Sequence, residues 1–206
     1  MSDGPQKGDR KNVPLGFGNI TAFIGDHIAH FYRGTKEMLS VLGPYVAEGM
    51  RRGEKCVVIS SPEVAEQLHE WLASEGLDVP KARRSSGLFL HSGEPTSEDM
   101  RALANRILDD ASKAGYTFIR WAGDGGWALA GKTSVSEMLI WEALYDKVSV
   151  DWPTLALCQF DLTQFGGDVV MDALRSHPLC IIGQHLVPNP FHLSPEALLQ
   201  ELTKRE

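Results

Sequence analysis

Apolar positions along the chain fall into two kinds of run. Short runs of continuous apolar or β-branched character occupy residues 20–32, 55–60 (KCVVIS), 87–91 (GLFLH), 117–122 (TFIRWA), 154–160 (TLALCQF) and 179–185 (LCIIGQH). Continuous rather than alternating apolar character predicts strands covered on both faces of a sheet. Between these runs, apolar residues recur at helical spacing. In 35–52, Met38, Leu39, Leu42, Tyr45 and Val46 share one face, and Pro44 predicts a kink or fresh start there. Pro62 opens a helix reaching Ser74, and 97–114 carries Met100, Leu103, Ala104, Ile107, Leu108 and Ala111 on one stripe. Helices follow over 134–148, capped by Ser134 or Ser136, and over 168–176, where His177-Pro178 closes the C-terminus. Ser194-Pro195-Glu196 starts the last.

Strands alternating with helices predict a three-layer α/β domain: a mostly parallel sheet of five to seven strands with helices on both faces. Residues 1–18, rich in Gly, Pro and charge, are expected to form a mobile tail. Residues 19–206 are expected to form a single domain, since neither a linker nor a repeat interrupts them. Ligands of such sheets bind beyond the carboxyl ends of the strands. Polar residues gather at those predicted ends: Tyr32, Ser60, Ser61, His91, Ser92, Arg120, Asp124, Gln159, Asp161, Gln184 and His185.

Composition narrows the function. Lys and Arg total 20 against 27 Asp and Glu, for a net charge of −7. This balance argues against a broad electrostatic grip on nucleic acid or anionic lipid. Cys56, Cys158 and Cys180 are too scattered for a disulfide framework or a Cys-x-x-Cys zinc site. No apolar run approaches the ~18 residues of a membrane span, and the N-terminus lacks a signal core, so a cytoplasmic protein is expected.

Three constellations carry candidate chemistry. Gly126-Trp-Ala-Leu-Ala-Gly131-Lys132-Thr133 fits G-x-x-x-x-G-K-[ST], a phosphate-cradling P-loop. Its bulky interior, its place after the fourth strand and the turn already formed by Gly123-Asp124-Gly125 favour a helical turn instead. Arg120 lies in an apolar strand and needs a carboxylate, either Asp124 or Glu142; Glu142 falls on the apolar face of its helix and needs a partner too. As a ligand anchor, Arg120 would hold a polar or anionic group against Trp127. Arg120→Ala and Trp127→Ala are then expected to abolish binding and spare the fold. His27, His30, Cys158 and His177 are possible metal ligands, but His27 and His30 would point to opposite faces of a strand. Neither a metal nor a cofactor is expected. Cys158 has no Cys–His–Asn spacing to support a nucleophile, and G-x-S-x-G, G-x-G-x-x-G and H-E-x-x-H are absent.

An ordered set of segments resembles one family. These are His27-x-x-H-F-Y32, Gly53-Glu-Lys55-Cys56, Arg120-W-A-G-D124-G-G-W127-A-L129, Glu142-x-x-Tyr145, Cys158-Q-F-D161, Leu174-R-S-H177-P178-L and Asn189-Pro190-F191. Together they resemble the MEDS domain, the methanogen/methylotroph sensory domain of DcmR-like regulators, over about residues 22–200. The resemblance implies a RecA/KaiC-like fold without a working P-loop, whose P-loop position becomes Tyr32-Arg-Gly-Thr-Lys36. It implies a non-enzymatic sensor of a small organic signal, with His27, Tyr32, Arg120, Asp124, Trp127, Glu142, Cys158, Asp161 and His177 as pocket residues. Family members commonly carry Arg-x-x-Gly-Glu before Met-Thr-Trp; Asp124-Gly125-Gly126-Trp127 stands here and implies an altered pocket. With neither kinase nor DNA-binding segment read in the chain, the implied partner is a separate histidine kinase, anti-sigma factor or transcription regulator, or a second copy of the chain. The alternatives are a divergent nucleotide binder or ATPase using Lys132 and Thr133, and a scaffold acting only by protein contact.

Overall fold

The computed structural model describes residues 11–149 and 152–204. A small antiparallel ribbon, β1 (Asn12–Pro14) and β2 (Thr21–Phe23), precedes the main sheet. The chain then runs through β3 (His27–Tyr32), α1 (Gly34–Arg51), β4 (Lys55–Ile59), α2 (Pro62–Ser74), α3 (Val79–Arg84) and β5 (Leu88–His91). It continues through α4 (Ser97–Lys113), β6 (Ile119–Asp124), a π-helical turn (Ala128–Lys132), α5 (Val135–Ser149) and β7 (Thr154–Asp161). It ends with α6 (Gly167–Ser176), β8 (Leu179–Ile182), β9 (His185–Pro188) and α7 (Pro195–Leu202). The seven-stranded sheet has the order β5-β4-β6-β7-β3-β8-β9, parallel except for β9. This is the expected three-layer α/β architecture.

Local chemistry sets the helix starts. Ser61 and Ser194 each precede a proline at the first helical position, and their hydroxyls accept from Val64 N–H (3.3 Å) and Ala197 N–H (3.2 Å). Ser134, not Ser136, caps α5, accepting from Glu137 N–H at 3.1 Å. Pro44 sits inside a continuous α1, where burial of Met38, Val41, Leu42, Tyr45 and Val46 outweighs its missing hydrogen bond.

Each strand divides its side chains between two cores. α4, α5, α6 and α7 cover one face, burying Ala29, Trp121, Ala156, Cys158 and Phe160. α1, α2, α3 and the ribbon cover the other, burying Ile28, Tyr32, Val58, Ala122 and Leu157. Because the period is two, neighbouring strand residues serve opposite layers.

The structure corrects several expectations. The tail does not extend to residue 18: Val13, Leu15 and Phe17 are buried and Val13 belongs to β1, while residues 1–10 lie outside the described residues. The run at 20–32 divides into β2 and β3. The run at 179–185 turns at Gly183, whose φ of +61° suits glycine, into the β8–β9 hairpin, so Gln184 and His185 do not mark the carboxyl end of a parallel strand. The six-residue α3 is too short to show a period.

Candidate functional site

Beyond the carboxyl ends of β6, β7 and β3 lies a cleft of ≈ 280 Å³. Register places its polar floor: Tyr32 pairs laterally with Asp161, and Asp124 with Gln159. These positions share parity, so Tyr32, Asp124 and Asp161 all face α1. The Tyr32 hydroxyl donates to Asp124 Oδ1 at 3.1 Å. Asp161 Oδ1 accepts from Thr163 N–H (2.8 Å) and Oγ1 (2.7 Å), and Oδ2 from Gln164 Nε2 (2.8 Å). Thr35, Met38, Ser61, Glu63, Gln67 and Leu129 complete much of the lining, and no lysine or arginine lines it among the described residues. One layer below, Gln159 Nε2 donates to His30 Nδ1 at 2.8 Å.

Asp124 is an uncomfortable carboxylate. Burial pushes its pKa up from 3.8 to about 6, although Gly126 and Ser61 amides and the Tyr32 hydroxyl oppose the shift. A carboxyl that holds its proton more tightly when folded contributes fully below its unfolded pKa and costs stability as it ionises. Stability should therefore fall from about pH 4 to pH 6 by on the order of 2–3 kcal/mol from this group. Denaturant midpoints across that range should show the loss in the wild type and a flatter profile in Asp124→Asn. Asp161 has the opposite sign: burial raises it, but hydrogen bonds from Gln164, Thr163 and Gly34 hold it below the usual range.

A second cluster lies on the opposite face. His27 opens β3, Cys158 lies within β7, Glu142 projects from α5, and His177 ends α6. All four are buried and offer ligand atoms within 4.8 Å of one another. His27 Nε2 lies 3.3 Å from Cys158 Sγ and 3.4 Å from Glu142 Oε2, and His177 Nε2 lies 3.5 Å from the same oxygen. On its far side, His27 Nδ1 meets Asp146 Oδ1 at 3.0 Å; His177 Nδ1 meets Ala173 O at 2.7 Å, closing α6 as expected. Burial disfavours charge on His27, but Cys158, Asp146 and Glu142 outweigh it and raise its pKa. Burial and the nearby His27 lower His177 to about 3, and burial pushes the Cys158 thiol up to about 12. Burial alone would raise Glu142, but His27 and His177 hold it low.

Two predicted site residues go elsewhere. Arg120 is the second residue of β6, near the amino end of the sheet. Its partner is neither Asp124 nor Glu142: Nε donates to Glu54 Oε2 at 2.8 Å, Nη1 to Pro14 O at 3.1 Å, and the guanidinium lies 4.7 Å from the Tyr45 ring centroid. Trp127 is 2% exposed and packs in the α4–α7 core over Gly93, where a Cβ would overlap its ring. Leu129 and Ala130 form the cleft wall instead.

The G-x-x-x-x-G-K-T match forms no open cradle. Ala128–Lys132 is a π-helical turn, and the Thr133 hydroxyl donates to Pro95 O at 2.7 Å; the Lys132 side chain lies outside the described residues. At Tyr32-Arg-Gly-Thr-Lys36, β3 ends at Tyr32 and α1 starts at Gly34. One residue between strand and helix leaves no glycine-rich loop to wrap phosphates.

Sequence reasoning missed Glu54, Asp146 and, in the lining, Glu63, Val64, Gln67 and Gln164. Asp146 was legible in one respect, standing four residues beyond Glu142 on the same helix face. Thr35 was marked only as part of the Tyr32-Arg-Gly-Thr-Lys36 segment, and Gln67 carried no signal, since only the tertiary fold brings α2 to the cleft.

Solved structures define the class of fold. KaiC-like protein PH0186 from Pyrococcus horikoshii OT3 superposes with a TM-score of 0.61 over 83% of this chain and 79% of its own, at 13% identity. Flagellar accessory protein FlaH from Methanocaldococcus jannaschii gives 0.50 over 79% and 75%, at 8% identity. The fold is RecA/KaiC-like. The chain belongs to the MEDS family, the methanogen/methylotroph, DcmR sensory domain, whose profile matches residues 26–178. Transcriptional repressor DcmR of Methylorubrum extorquens is 26% identical over 153 residues, 74% of this chain but 58% of that protein. The family makes this a sensory domain. No helix among the described residues is long and apolar enough to cross a membrane.

Proposed function

We propose that the chain is a non-enzymatic cytoplasmic sensor whose cleft binds a small neutral or cationic organic molecule and reports it to a partner. The observation that carries this reading is the composition of the cleft. Asp124, Asp161 and Glu63 line it with hydroxyls and apolar groups, without a described lysine or arginine to neutralise phosphate. Its ≈ 280 Å³ falls just below the roughly 300–1,000 Å³ of drug-sized sites. A hydroxyl or ammonium group would donate to Asp124 or Asp161, with its alkyl part against Met38 and Leu129. Asp161 also holds the start of α1 through Gly34. A ligand there biases the α1 terminus by differential affinity for its positions, which a histidine kinase, anti-sigma factor or transcription regulator would read.

Thermal-shift titrations test the charge rule with methanol and ethanol, methylammonium and trimethylammonium, formate and acetate, and Mg·ATP. The neutral or cationic probes should raise Tm in the wild type and fail in Asp161→Ala, with the anions inert. A shift with Mg·ATP that Lys132→Ala removes would establish the nucleotide reading instead.

A further inference from the structure

The cleft leaves unexplained why four metal-ligating side chains converge in the opposite core. The structure assigns His27, Glu142, Cys158 and His177 as a closed, four-ligand site for a zinc-class divalent cation. Each ligand comes from a different element, β3, α5, β7 and the end of α6, and each is at most 5% exposed. The assignment is independent of the cleft. Tyr32 lies five residues beyond His27, roughly 16 Å along the strand, and faces the other way.

Geometry is the first argument. Bonds of ~2.0–2.3 Å in a tetrahedral centre set donor atoms roughly 3.3–3.7 Å apart. The close pairs stand at 3.3, 3.4 and 3.5 Å, and no two donors are more than 4.8 Å apart. A small inward movement of side chains completes the tetrahedron.

Unmet bonding is the second. Glu142 Oε2 and His177 Nε2 are buried and have no hydrogen-bond partner, although they face one another. Two buried polar atoms without a hydrogen bond, aimed at one point, are costly to leave unmet. A cation at that point serves both.

The outer contacts are the third. His27 Nδ1 is held by Asp146 and His177 Nδ1 by the Ala173 carbonyl. With the proton on each Nδ1, both Nε2 lone pairs point into the cluster. A carboxylate behind one ligating histidine and a carbonyl behind the other is how zinc ligands are oriented and made more basic. Two imidazoles, a thiolate and one carboxylate suit zinc or another late transition metal and not magnesium or calcium, which take oxygen. Four protein ligands leave no open position, so the ion would tie four elements together.

Because the site is enclosed, the ion must enter as the chain folds. Untagged full-length protein, unfolded with chelator and refolded with cobalt(II), tests the assignment. The expected result is about one bound cobalt per chain, with the intense visible bands of a tetrahedral site and a near-ultraviolet thiolate-to-cobalt band. Cys158→Ser should lose the thiolate band, whereas Cys180→Ser, altering a cysteine outside the cluster, should keep it. Wild-type protein that refolds with native far-ultraviolet dichroism and binds no cobalt overturns the assignment. So does a thiolate band that persists in Cys158→Ser.

Discussion

Arg120→Ala is expected to destabilise the fold by about 3–5 kcal/mol, because it breaks a buried ion pair and leaves Glu54 Oε2 unpaired, with only the more exposed Arg52 remaining on Oε1 at 2.6 Å. Glu54 meets Arg120 Nε at 2.8 Å and its side chain is only 9% exposed. The same guanidinium donates to Pro14 O and lies against Tyr45, so it also pins the N-terminal ribbon to the sheet. Space around it is already full: a Cβ on Gly49 would sit 2.9 Å from Arg120 Nε. A domain of this kind has about 5–15 kcal/mol in total, so the loss takes a large share. Urea denaturation checks it, and a cycle with Glu54→Ala should show coupling, the double variant costing less than the two singles summed. Arg120→Ala that still folds should keep its thermal response to the cleft probes. That outcome reverses the expectation from sequence, in which the substitution abolished binding and spared the fold. A variant as stable as the wild type would contradict this account of Arg120.

Trp127→Ala is expected to cost a similar ~3–5 kcal/mol, by opening a cavity in the α4–α7 core. The indole is almost fully enclosed, and Gly93, at φ +79°, presents bare backbone to it. Trp127→Phe keeps most of the apolar contact and should lose much less. Since Leu129 and Ala130 follow directly as cleft wall, Trp127→Ala should also weaken probe binding through the misplaced turn, whereas Trp127→Phe retains it. Urea midpoints paired with thermal-shift titrations separate the two effects. A Trp127→Ala protein of wild-type stability with binding lost would restore Trp127 as a direct ligand contact.

The long elements were legible because burial on both faces forces continuous apolar strands, and Ser-Pro pairs mark helix starts by satisfying free amides. β1, β2 and α3 span three to six residues, shorter than a pattern can show. Strand parity already separated His27 from His30, as β3 bears out: one meets Cys158, the other Gln159. Parity could also have separated Tyr32 from His27, since residues five apart on a strand face opposite ways. One predicted pocket thus becomes two places, a cleft and a buried cluster. Arg120 was misplaced because it was read as ending its strand, when β6 begins at Ile119. Its distance from Asp124 along that strand then excluded the pairing. The partner of Glu142 was undetermined because helix α5 can meet β3, β7 or α6, and only packing chooses.

The central claim, a sensor whose signal enters at the carboxyl ends of β6, β7 and β3, is tested most directly by amide hydrogen exchange. Wild-type protein is compared with and without whichever neutral or cationic probe raises its Tm. The account predicts added protection over residues 33–38, 61–67, 124–130 and 161–164, and none in Asp161→Ala. Protection confined to other segments, or appearing only with Mg·ATP, would contradict it.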